Sequence, residues 1–102
     1  MATLTKNRKR ILASAKVRDM VARLSTGIYY TQFQDWNTAL RDTLNFYGLQ
    51  PWGGVDTPHN NDGRGTEPIV TVEDNTEVVG YVWYSYHRME GSGNWEIICY
   101  IS

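Results

Sequence analysis

Apolar residues recur at helical spacing across the second quarter of the chain. Five of them fall three or four positions apart: Phe33, Trp36, Leu40, Leu44 and Tyr47. This spacing places them on one face of a helix, and aromatic residues at that period normally pack in a core. Thr31 and Gln34 fit a capping box before the stripe, and Gly48 fits a C-terminal cap after it. The pattern predicts a helix over about residues 32–47.

A weaker apolar stripe precedes this helix. Its members at helical spacing are Ala13, Val17, Met20, Val21 and Leu24. They predict a first helix over about residues 5–24, which Gly27 would end in a left-handed conformation. Lys9, Lys16 and Arg23 stand seven positions apart, so they would align along one edge of that helix.

The last third of the chain alternates with period two, as β-strands do. It predicts a short strand over residues 69–73, a long strand over 78–89 and a final strand over 95–101. Between helices and strands, residues 50–68 hold three prolines and four glycines, which predicts a long polar loop, mobile over about 57–65. The predicted fold is α+β, with two N-terminal helices packed on one face of a three-stranded antiparallel sheet (ααβββ).

The register of the last hairpin decides which side chains share a face. Symmetric closure would place Arg88 opposite Glu96, Tyr86 opposite Ile98, and Tyr84 opposite Tyr100. The face then assigned to the core carries Ile69, Val79, Tyr81, Trp83, Ser85, His87, Met89, Trp95, Ile97, Cys99 and Ile101. Two helices cover only one face of such a sheet, so the other face is expected to stay partly exposed. Its predicted partner-binding residues are Tyr84, Tyr86, Arg88, Ile98 and Tyr100.

The composition fits one domain over residues 1–102, with 41% hydrophobic residues. No apolar run approaches the roughly 18 residues of a membrane span. A single cysteine, Cys99, excludes an intrachain disulfide and is typical of a reducing compartment. We therefore expect a cytoplasmic protein without a membrane segment.

Charge is divided unevenly along the chain. Residues 1–24 hold seven of the ten basic residues and one acid, whereas residues 25–102 hold three basic residues and ten acids. A segment of charge +6 is thus joined to a body of charge −7, while the whole chain carries −1. Either the basic end has a partner, contacted through Lys9, Lys16 and Arg23, or it neutralises the body of its own chain.

Sequence signatures of catalysis are sparse. The chain has two histidines and lacks a phosphate-binding glycine loop or a G-x-S-x-G elbow. Cys99 lies in an alternating strand, which favours an inert buried thiol over a nucleophile paired with His87. Asp56, His59 and Asp62 stand three apart, but in a loop this spacing fixes no common face and indicates a metal only weakly. We expect a protein that is not an enzyme and holds no metal or cofactor.

Two classes of function follow from the tyrosine face and the charge division. The first is a protein-binding module, in the style of small phage or mobile-element proteins that inhibit host enzymes or defence systems, as anti-CRISPR proteins do. The second is a nucleic-acid binder that sets the basic helix on phosphates and stacks bases on the tyrosines. The first is favoured, because Arg88 is the one basic residue on the predicted open face and the pI is about 6.1. A homodimer through the sheet face is a further expectation.

Overall fold

The structure, a computed structural model, describes residues 14–25 and 28–102. These residues contain two helices and five antiparallel strands. In chain order they are α1 (Ala15–Ala22), β1 (Tyr29–Tyr30), α2 (Phe33–Asn45), β2 (Leu49–Pro51), β3 (Asp62–Thr71), β4 (Val78–Arg88) and β5 (Trp95–Ile101). The strands form one sheet in the order β1-β5-β4-β3-β2. The α+β class is confirmed, but the prediction of three strands is wrong. The helix-before-sheet order holds only in part, since β1 lies between the helices.

Helix α2 follows the predicted stripe, and the first four side chains of the stripe lie in the core. Phe33, Trp36, Leu40 and Leu44 are all buried. The predicted capping box is wrong by one position: Gln32 is the N-cap, and its backbone N–H donates to the Asp35 carboxylate at 3.1 Å. Gln34 instead donates to the Val55 carbonyl at 2.8 Å, so it ties the following connection to the helix. Gly48 ends the helical turn with a φ of 73°.

Helix α1 covers Ala15–Ala22 of the predicted span 5–24, of which residues 5–13 lie outside the described residues. Ser14 caps it by accepting a hydrogen bond from the Val17 N–H at 3.3 Å, and Val17 and Val21 bury its apolar face. Lys9, Ala13 and Gly27 lie outside the described residues. Neither described helix has the length and the apolar composition to cross a lipid bilayer.

Strand β3 occupies part of the predicted loop, and its glycines explain the error. Gly63 lies opposite Tyr86 and Gly65 opposite Tyr84 in the β3–β4 ladder. A Cβ added at either glycine would come within 2.7 Å of the Cζ atom of the facing tyrosine. The two rings therefore lie across the β3 backbone, and only residues without a side chain leave room for them. Together with β2, this strand reduces the predicted 50–68 loop to the connection 52–61.

The β4–β5 hairpin closes one residue away from the predicted register. Met89 and Asn94 pair across the turn, with the Met89 N–H donating to the Asn94 carbonyl at 2.8 Å. Gly91 and Gly93 adopt φ values of 86° and 73° within it, a turn geometry that sequence symmetry does not reveal. Tyr84 consequently lies opposite Cys99, not opposite Tyr100.

A slip of one residue moves every side chain of one strand to the other face. The predicted faces are confirmed for β5, where Trp95, Ile97, Cys99 and Ile101 are buried. They are wrong for the central part of β4, where Val82, Tyr84 and Tyr86 lie on the core side. Tyr81 and Trp83, which the predicted register places in the core, are exposed.

Truncation of the core stripe should destabilise the fold much more than truncation of an exposed ring nearby. Leu44→Ala removes a fully buried side chain and should cost about 2–5 kcal/mol in the free energy of unfolding. Phe46→Ala, two residues further along at the C-cap of α2 and 77% exposed, should change it by less than about 0.5 kcal/mol. Urea titration of both variants measures the difference, and equal losses would contradict the placement of α2.

The glycine–tyrosine contacts predict a second stability difference. Gly65→Ala forces its new methyl group against the Tyr84 ring, which Trp36 holds at a centroid distance of 5.2 Å. We expect a cost of about 1–3 kcal/mol, as for other overpacked sites. Gly53→Ala is the matched control, because the nearest atom to its Cβ would be 3.8 Å away. Equal unfolding midpoints for the two variants would contradict the contact.

Candidate functional site

The face of the sheet that points away from α1 and α2 carries a row of large exposed side chains. We call this face the open face, and we call four of its residues the open-face patch: Tyr81, Trp83, Ile98 and Tyr100. Their exposed fractions are 43%, 40%, 57% and 59%, respectively. No described helix or connection covers them. The patch lies on β4 and β5, which are adjacent and which each have a paired strand on both sides.

Strand geometry fixes the aromatic members of the patch relative to one another. Trp83 and Tyr100 are cross-strand neighbours, and their rings are nearly parallel, with an interplanar angle of 14° and a centroid distance of 6.5 Å. Tyr81, two residues along β4, lies 6.4 Å from Trp83. The Trp83 indole N–H donates to the Ser102 hydroxyl at 2.6 Å, which fixes the ring orientation. These rings are therefore already held in position, so a partner that docks on them would cause little further loss of side-chain entropy.

A shallow depression of about 590 Å³ lies beside the patch. The side chains around it include Arg64, Thr66, Trp83, Ser85, Ile98 and Tyr100. Ser85 stands between Arg64 on β3 and Ile98 on β5, directly opposite both in the ladder. Because serine is small, the centre of this row is low and its two ends are high. The depression thus combines apolar walls with one guanidinium group, that of Arg64, and the aliphatic hydroxyl groups of Ser85 and Thr66.

The border of the open face is polar. His87 contacts the carboxylate of Asp62 directly across the β3–β4 ladder, and Glu96 lies opposite His87 on β5. In the described ranges, no three His, Cys, Asp or Glu side chains come together to hold a metal ion. Asp56, His59 and Asp62, which the sequence spacing indicates only weakly as ligands, are not such a group.

The structure divides the predicted partner-binding residues between two faces. Ile98 and Tyr100 are exposed on the open face, as expected. Tyr84 and Tyr86 lie half-buried on the core side, where Phe33 contacts both rings at centroid distances of 6.4 and 5.9 Å. Burial raises the pKa of the Tyr84 hydroxyl, and the charges of nearby Glu67 and Tyr86 raise it further. The prediction of one surface made of these residues is wrong, because the register differs by one.

Arg88 does not face Glu96. It lies opposite Trp95, and its guanidinium carbon stands 5.5 Å from the centre of that indole ring. Its Nε–H also donates to the Gly93 carbonyl at 3.2 Å. Arg88 therefore stabilises the closed end of the hairpin by a cation–π contact.

The basic residues predicted for a nucleic acid or an acidic partner are only partly visible. Lys16 and Arg23 are exposed on α1, and Arg23 pairs with Asp19 at 2.9 Å. Lys9 lies outside the described residues. In the described chain Lys16 lies on the helix that packs against β5 and Arg23 caps its C-terminal end, whereas the open-face patch lies on the face of the sheet that points away from this helix.

Cys99 is buried, as predicted, and only 4% of it is exposed. Its Sγ lies 3.3 Å from the Ser25 hydroxyl and accepts a hydrogen bond from the Trp36 indole N–H at 3.4 Å. Burial raises the pKa of the thiol, and these two hydrogen bonds offset part of that rise. His87 lies on the opposite face of the sheet, so the two residues do not form a nucleophile–base pair.

Sequence reasoning missed Tyr81, Trp83 and Arg64 as residues of the open face. The available signal was the spacing of Gly63 and Gly65 against Tyr86 and Tyr84, because a glycine opposite an aromatic residue marks a ring that lies across the strand. That pairing puts both tyrosines on the core side and their neighbours in β4 on the other.

The raised pKa of Cys99 predicts how the thiol responds to pH. Because the folded pKa is higher than the unfolded one, the thiol's contribution to stability is complete below about pH 9.0 and is lost as the pH rises through the folded pKa. In Cys99→Ala this part of the alkaline loss should disappear, although Tyr84 and Tyr30, whose pKa values burial also raises, keep theirs. Urea unfolding from pH 7 to 10.5 measures the slope, and identical slopes for both proteins would contradict it.

Comparison with known proteins adds no precedent for the open-face patch. No family model, curated protein or solved structure matches the chain significantly. The function is therefore inferred from the geometry of this chain's own residues.

Proposed function

We propose that this chain is a protein-binding module and that the open face of its sheet is the contact surface. The observation that carries the proposal is the open-face patch itself. Its four large side chains are 40–59% exposed and adjoin one another on two central strands. Aromatic residues supply much of the binding energy at protein interfaces, because they bury a large area at a small cost in entropy.

The charges around the patch support a protein over a nucleic acid. Arg64 is the one Lys or Arg side chain in the described rows that contain the patch, and carboxylates of Asp62 and Glu96 occupy the next row. Platforms for single-stranded nucleic acid normally combine stacking rings with a positively charged groove. A polyanion would meet both carboxylates here, whereas a protein surface need not.

Binding through such a surface acts by occupancy. Among the described residues, the one thiol and the exposed imidazole of His87 lie on opposite faces, and this separation supports a role without catalysis. The bound module would block or recruit the partner. We propose that this binding inhibits a host enzyme or defence system, as the resemblance in size and composition to small phage and mobile-element proteins suggests.

The proposal predicts which substitutions abolish partner capture. Trp83→Ala/Tyr100→Ala removes the paired rings and should reduce recovery of a specific partner from host lysate by at least 10-fold, because central aromatic residues each contribute about 2 kcal/mol or more. Phe46→Ala, which removes an exposed ring at the end of α2, is the matched control and should bind as wild type does.

Circular dichroism should show that both variants are folded. Undiminished capture by Trp83→Ala/Tyr100→Ala, or submicromolar and strongly salt-dependent binding of wild type to an oligonucleotide, would contradict the proposal.

A further inference from the structure

The depression beside the patch has a chemistry that restricts what can fill it. We propose that it accepts a single acidic side chain of the partner, flanked by a large apolar residue. This inference rests on the proposed function and names the partner's chemistry. In the complex, the carboxylate would pair with Arg64 and Ser85, and the apolar residue would pack on Trp83, Tyr100 and Ile98.

Arg64 is available for such a pair. It is exposed, and within the described residues it forms no ion pair. The carboxylate two positions before it on the same side of β3, Asp62, is already bonded to His87. Ser85, directly opposite Arg64, adds a hydroxyl group without a partner among the described hydrogen bonds. A carboxylate above this pair could accept from both the guanidinium and the hydroxyl group.

The neighbouring rings would strengthen the proposed pair between Arg64 and the partner's carboxylate. Trp83 and Tyr100 border the same depression, and Ile98 closes the row that begins at Arg64. An apolar residue placed on these three side chains excludes water from the guanidinium group. Charge-assisted hydrogen bonds gain strength when water is excluded, so the acidic and apolar requirements reinforce each other.

Charge complementarity favours one carboxylate over a chain of phosphates. Asp62 and Glu96 lie in the ladder row next to that of Arg64, so a second anionic group one step away on that side would be repelled. The described body as a whole is acidic, which further disfavours a polyanion. A protein segment with an isolated Asp or Glu meets the cation and avoids the carboxylates.

A random dodecapeptide library displayed on phage and selected on the immobilised full chain tests the proposal. We expect enriched sequences to hold Asp or Glu within two positions of Trp, Phe, Tyr or Leu. A synthetic peptide from this set should lose about 10- to 100-fold in affinity for Arg64→Gln, as expected for one charge-assisted hydrogen-bonded pair. Arg18→Gln, which neutralises an exposed arginine on α1, is the matched control and should leave the dissociation constant unchanged.

A charge exchange makes the test specific. A peptide whose acid is replaced by Lys should fail on wild type and recover binding to Arg64→Glu. Peptides that bind Arg64→Gln and wild type equally but fail on Trp83→Ala/Tyr100→Ala would overturn the acidic requirement and leave the proposed surface intact. Failure to enrich any peptide that depends on Arg64 would also overturn it. So would saturable binding of oligo-dT at the same residues, or a concentration-dependent dimer in sedimentation that Trp83→Ala/Tyr100→Ala abolishes.

Discussion

The packing of two tyrosine rings over two glycines determines how strands β3 and β4 are arranged in this fold. Tyr84 and Tyr86 lie across Gly65 and Gly63 on one side, and they pack against Phe33 on the other. The two rings fill the space beside the β3 backbone that side chains at positions 63 and 65 would otherwise take. The contact thus fixes the register of β3 against β4, and it decides which half of β4 belongs to the core.

The composition of the open face is a consequence of this tyrosine–glycine packing. Since alternate residues of a strand point to opposite sides, committing both tyrosines to the core commits Trp83 and Ser85 to the other side. Arg64 follows from the same rule on β3, between the two glycines. The aromatic patch and the cation beside it are therefore positioned by the core of the protein. A rigid surface of this kind keeps its shape before a partner arrives, which lowers the entropy lost on binding.

The sequence predicted the elements whose patterns have one interpretation. The stripe from Phe33 to Leu44 has a single helical face, and in β5 the side that carries Trp, Ile and Cys alternates with a side that carries Glu96 and Tyr100, so both were predicted with the correct buried side chains. Glycine and proline between residues 50 and 68 have two interpretations. Both occur in loops, but glycine also occurs where a neighbouring ring crosses a strand, and only the tertiary contact distinguishes the two. The prediction of the buried face of β4 failed for a related reason. The alternation along β4 fits burial of either side, and the side that is buried depends on a turn with two glycines at positive φ.

The distribution of tryptophan has an optical consequence. Trp36 and Trp95 are buried in the core, whereas Trp83 and Trp52 are exposed. A soluble quencher such as acrylamide should therefore reach the second pair first, and the blue-shifted emission of the first pair should persist until the chain unfolds. Replacement of Trp52 by phenylalanine would leave Trp83 as the exposed emitter among the described residues. Occupation of the open face could then be followed by intrinsic fluorescence, without a label on either molecule.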